Sequence, residues 1–195
     1  MRVTFPRLPD HQRGYALVER DDGVVYRLYG GTDPFPGRRL PHDVMHLVVE
    51  RELGIRDGIW GGIAAGVVFD SMRYVRGRRP PHPAERSGQL LPGFRRPGLR
   101  AELLADLVAS AAALDHLTSD TIRRLADAKL SALPDREDVD PVAIAVAARA
   151  LQVEAARWAR LRIGEELCYE WPGRGPSAPG RGPSALGRGP SAPGR

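Results

Sequence analysis

Residues 40–74 read LPHDVMHLVVERELGIRDGIWGGIAAGVVFDSMRY, and the folding of this stretch decides the class of protein. Pro41 suits a first helical position, and Asp43 falls in the first turn, where a carboxylate favours the positive end of the helix dipole. Val44, Met45, Val48 and Val49 share one side at 100° per residue, and Gly54 is a natural stop, so the spacing predicts a helix over His42–Leu53. Asp57 can cap a second helix, expected from Gly58 to Tyr74. Folded back across the short turn between them, these helices would form an antiparallel hairpin.

Upstream, Tyr15–Glu19 and Val24–Tyr29 flank Arg20-Asp21-Asp22-Gly23, a turn signal that predicts a β-hairpin. Arg2–Phe5 offers a further short strand, which Pro6 and Pro9 assign to a sheet edge. Downstream, helices are expected over Leu99–Leu117, Asp120–Leu133 and Val142–Leu167, the last opening on Asp140-Pro141. Arg76–Pro97, rich in Pro, Gly and Arg, is expected to be a long loop. The expected fold is therefore mainly α: a bundle of about five helices with a small N-terminal β-hairpin. Residues 1–39 form the hairpin region and 40–172 the helical part, packed together as one domain, which suits a length of 195 residues. After Pro172 the chain reads GRGPSAP, GRGPSAL, GRGPSAP and GR, a repeat too poor in apolar side chains to be expected to order.

The formal charge of +5 dissolves when it is located along the chain. Arg174, Arg181, Arg188 and Arg195 of the repeat carry +4, and Ser71–Arg100 carries +7, which leaves the rest at −6. The body is not a basic nucleic-acid-binding domain, and a nucleic-acid partner is not expected of it. Arg76, Arg78 and Arg79 are the candidates for gripping a phosphate or an acidic partner. A single cysteine, Cys168, forms no internal disulfide. The start MRVTFPRLPDHQRGY has no apolar secretory core, and no apolar run approaches the roughly 20 residues of a membrane span. A cytoplasmic protein without membrane association is expected.

The chemistry concentrates on the first helix. His42 and His46 project one turn apart in one direction, the spacing by which helices offer two imidazoles to one Zn²⁺. Asp43 and Glu50 lie within reach of His46 and are candidates to orient it or to act as catalytic base. The third ligand must come from elsewhere. In the expected hairpin register Gly58, Gly62 and Gly66 form a groove that ends at Asp70, level with His42, which nominates His42, His46 and Asp70 as the metal set. Asp115, His116, Glu165, Glu166 and His82 are reserve ligands.

The run His42-Asp43-Val44-Met45-His46 resembles the HExxH helix of zinc proteases, with Asp in the base position. It is also similar in form to the HDxxH helix of mitochondrial ubiquinone-biosynthesis proteins, whose following Glu is replaced here by Gly58. Leu40-Pro41-His42-Asp43 through His46 and Val49-Glu50, with Gly54 and Trp60-Gly61, resembles a family of small actinobacterial proteins with a PHDxxHxxVE helix. The HD-domain phosphohydrolases share a His-Asp pair but draw further ligands from motifs not seen in this chain. The expectation is a small soluble metal-binding protein, with zinc the favoured ion and a metal-dependent hydrolase the favoured activity. The alternative is a non-catalytic interaction protein whose arginine-rich segment binds an acidic partner or nucleic acid.

Overall fold

The computed structural model describes residues 1–9, 12–30, 40–133 and 138–172. The repeat after Pro172 and residues 10–11, 31–39 and 134–137 lie outside the described residues. Five strands form one antiparallel sheet: β1 (Arg2–Pro6), β2 (Ala16–Glu19), β3 (Val25–Leu28), β4 (Met72–Arg76) and β5 (Glu166–Glu170), in the order β4-β3-β2-β1-β5. The helices are α1 (His42–Glu52), α2 (Ile59–Ala65), α3 (Pro83–Ala112), α4 (Ser119–Lys129) and α5 (Pro141–Arg160). The architecture is a mixed α/β fold, which corrects the expectation of a helical bundle fronted by a small hairpin.

Three local decisions account for the difference. The second helix was expected to reach Tyr74 but ends at Ala65, because Gly66 adopts the left-handed conformation (φ 115°) and its N–H closes on the Ile63 carbonyl. The chain is then free to leave as β4. The last helix was expected to reach Leu167 but stops at Arg160, and Glu166-Leu167-Cys168-Tyr169-Glu170 alternates exposed and buried as β5. β1 was expected at an edge and instead lies between β2 and β5, with Pro6 at its last position opposite Glu166. An end position spares the ladder the N–H that proline lacks.

The expected loop Arg76–Pro97 is largely helix. α3 starts at Pro83 and passes through Pro92 and Pro97. The residues four before these prolines are Gly88 and Gly93, each with open space around it, so the carbonyl facing each ring can tilt outward at low cost.

The sheet buries one face. Val3 and Phe5 of β1, Ala16 and Val18 of β2, Tyr26 and Leu28 of β3, Met72 of β4, and Leu167 and Tyr169 of β5 join Leu47, Trp60, Ile63, Leu104, Leu107 and Trp158 in one core. Trp60 meets Phe5 edge to face at 5.9 Å. The hairpin expected around Gly23 is present as β2-β3, with Gly23 at φ 77°.

Candidate metal centre

α1 opens on Pro41, whose carbonyl accepts the Met45 N–H. This places His42 at the helix's solvent end and His46 one turn inside, with 48% and 2% of their side chains exposed. Across from them α3 presents Glu102, next to Ala101 and one turn before Ala105, both fully buried. Small side chains there let α1 and α3 come close, and the carboxylate reaches over from the flank. His46 Nε2 lies 3.1 Å from Glu102 Oε2 and 3.2 Å from His42 Nε2, and the third side, His42 Nε2 to Glu102 Oε2, is 3.9 Å. These are the only three donors among the described residues that gather as a possible metal cluster. The circle through three atoms so spaced has a radius of about 2.0 Å, the length of a Zn–N or Zn–O bond.

The electrostatics agree with the spacing. The hydrogen bond from His46 holds the Glu102 carboxyl below the usual carboxylate range, against the opposite pull of its partial burial. Glu102 is thus an anion facing two ring nitrogens, the form in which a carboxylate binds a metal. Its side chain is 47% exposed, so the cluster is walled by His46 on the protein side and open to water on the other.

The expected ligand Asp70 stands elsewhere. It is exposed, in the turn leading to β4, and its carbonyl accepts from Arg73 Nη1 at 2.6 Å. The hairpin register that nominated it needs a second helix reaching residue 70, and α2 ends at Ala65. The three glycines do not share one groove: a Cβ on Gly58 would meet Glu50 of α1, whereas one on Gly62 would meet Phe94 at 3.2 Å and one on Gly66 would meet Leu90 at 3.5 Å, both on α3. None of Asp115, His116, Glu165, Glu166 or His82 joins the cluster.

Glu50 and Asp43 also stand away from the point where the three donors converge. Glu50 is buried and accepts N–H bonds from Ile59 (2.8 Å), Trp60 (3.1 Å) and Gly61. It caps α2, whose own N-cap residue, Gly58, has no side chain to offer. A Cβ on Gly58 would lie 2.5 Å from the Glu50 carboxyl carbon, so the glycine makes room for the cap. Burial pushes this carboxyl up to about 8, against the pull of the three N–H donors. Asp43 fits against Gly30, where a Cβ would come within 2.6 Å of Oδ2, and its Oδ1 is 3.9 Å from His42 Nδ1. It therefore stands behind the His42 ring, on the side away from the converging Nε2 atoms. Neither carboxylate reaches His46 Nδ1, which is buried without a hydrogen-bond partner.

Arg76, Arg78 and Arg79 are exposed at the end of β4 and beyond it. Arg76 pairs with Glu19 at 3.3 Å, and Arg79 lies over the Tyr74 ring at 4.5 Å.

Glu102 went unnoticed in the sequence although it lies inside an expected helix. Its signal is faint: an acidic residue set between the small Ala101 and Ala105 on a helix whose Leu104, Leu107 and Ala111 face the core. Helix pairing across 56 residues of sequence has no local signature.

Among the described residues no helix is long and apolar enough to cross a membrane. Comparisons with protein families, with curated proteins and with solved structures return no match for this chain.

Proposed function

We propose that the protein binds a divalent metal ion, zinc by its donor set, through His42 Nε2, His46 Nε2 and Glu102 Oε2. The observation that carries this is the donor triangle of 3.1, 3.2 and 3.9 Å. Two imidazoles and one carboxylate from two helices are a zinc donor set, and three protein ligands leave a coordination position for water, as in hydrolytic zinc sites. Bound zinc would supply Lewis acidity and a water of lowered pKa. The chain's own part is to hold His46 rigidly in the core, to keep Glu102 ionised, and to steady His42 through Asp43 behind its ring. We infer a hydrolytic activity from the open, solvent-facing side of this set, with Asp43 a positioning residue rather than the base.

The test is elemental analysis and melting of purified protein. About one zinc per chain, lost in Glu102→Gln and in His42→Ala, is expected, with hydrolysis of chromogenic esters or phosphoesters by the zinc form alone. Metal-free protein whose melting ignores both zinc and EDTA would overturn the proposal. Zinc binding without any hydrolysis would overturn its catalytic half.

A further inference from the structure

The sheet's second face is open to solvent among the described residues. The strand registers align one row across it: Arg73 opposite Arg27, Arg27 opposite Leu17, Leu17 opposite Thr4, and Thr4 opposite Cys168. The β5 end of this face is acidic, with Glu166 and Glu170 exposed, and the β3-β4 end is basic. There the arginines are interleaved with aromatic rings. Arg27 lies over Tyr15 at 4.4 Å and donates to the Tyr29 hydroxyl at 3.3 Å. Arg13 lies over Tyr29 at 5.1 Å and donates to the Gly30 carbonyl, and the two rings meet at 6.1 Å.

Two features of this patch are costly for a protein with nothing bound. Like charges directly opposite on neighbouring strands destabilise a sheet, and Arg27 faces Arg73 across the β3-β4 ladder. A buried donor without an acceptor also costs stability, and Arg27 Nε is buried and unpartnered. Arg13, Arg27 and Arg73 are held by carbonyls, a phenol and ring faces, and none has a carboxylate partner among the described residues. No carboxylate among the described residues compensates their charge, which suits an anion arriving from outside. An acidic peptide would ask only for the cations. Tyrosine rings beside the arginines add surfaces on which bases pack.

We propose that this open face binds single-stranded nucleic acid, with Arg13, Arg27 and Arg73 on the phosphates and the Tyr15 and Tyr29 stacks against the bases. The arginine-rich segment found in the sequence contributes Arg73 to it, while Arg13, Arg27 and both tyrosines come from the hairpin region.

Fluorescence anisotropy of the full chain with a labelled oligothymidylate, in EDTA throughout, tests this independently of the metal centre. Binding should weaken as salt rises, because each neutralised phosphate releases counterions. Arg13→Glu with Arg73→Glu should weaken it by about tenfold or more. Arg149→Glu with Arg160→Glu, both exposed on α5, imposes the same charge change elsewhere and should leave it within about twofold. Tyr29→Leu, checked for an unchanged melting temperature, should cost roughly fivefold or more. Arg13→Glu alone, on an exposed residue, serves where Tyr29→Leu fails to fold. The proposal is overturned if the Arg13/Arg73 pair and the Arg149/Arg160 pair behave alike. It is equally overturned if polyglutamate displaces the oligonucleotide while Tyr29→Leu changes nothing, the result that assigns the face to acidic peptides.

Discussion

His46 and Glu50 stand one turn apart on α1, both about 1% exposed, and the helix puts them to opposite uses. Glu50 is surrounded by donors of its own chain: three amides of α2 converge on its carboxyl, and nothing is left over for a ligand. His46 has one nitrogen without a partner and the other shared with two more metal-type donors at the protein surface. Burial of a polar group is common to both. What separates a structural group from a candidate ligand is whether the fold itself satisfies it.

The largest expected effect breaks the structural side of this pair. Glu50→Ala leaves three α2 amides inside the protein without an acceptor and opens a cavity beside Gly58, and should cost about 3 kcal/mol or more in denaturant unfolding. Glu102→Ala in metal-free protein should cost under about 1 kcal/mol, because the side chain is half exposed and its ion pair is screened. Equal losses would erase the distinction.

The next effect is a pH dependence. In the unfolded chain Glu50 titrates near its ordinary value of 4.5, and in the fold near 8, raised first by burial and slightly by the negative charge of Glu102. Between these values the folded form holds a proton that the unfolded form has released. Stability is therefore full below about 4.5, falls as pH rises, and levels off above about 8. The loss should amount to a few kcal/mol, at about 1.4 kcal/mol per pH unit. In Glu50→Gln the slope over this window should vanish; a slope that persists assigns the titration to another group.

Zinc comes third. At a hundredfold excess over its wild-type dissociation constant it should stabilise the wild type by about 2.7 kcal/mol, reversibly with EDTA, and Glu102→Gln by about 1.4 kcal/mol or less. Stabilisation of both proteins alike would place the ion elsewhere.

The two neighbours were not equally legible in the sequence. The spacing of His42 and His46 marks them as a pair on one helix edge, and the structure keeps them so. Glu50 carries the same local signature as a metal-site residue, since nothing in VVERELGIRDGIW says that its carboxyl reaches nine residues ahead to the start of α2. Gly54 was legible as a helix end, and the same criterion applied to Gly66 stops α2 before Asp70. Likewise the alternation in ELCYE has a strand's period of two. A helical pattern that runs on past such signals hides the sheet. Glu102 has no such signal, because only tertiary packing brings α3 to α1.

The smallest expected effect is also the sharpest test of that lesson. Asp70→Asn removes a carboxylate that sequence register alone would put beside His42, on a residue whose recorded contact is through its backbone carbonyl. Stability should change by less than about 0.5 kcal/mol, as for an ordinary surface substitution. Zinc affinity, measured by competition with a chelating dye, should stay within about twofold of wild type, because no donor of the triangle has been touched. Glu102→Gln in the same assay replaces an anionic ligand with a neutral amide and should lose affinity by about tenfold or more, the scale of even an outer-sphere loss. If the two variants exchanged these results, the helices would pair as the sequence register has them, with α1 against the segment ending at Asp70 and not against α3.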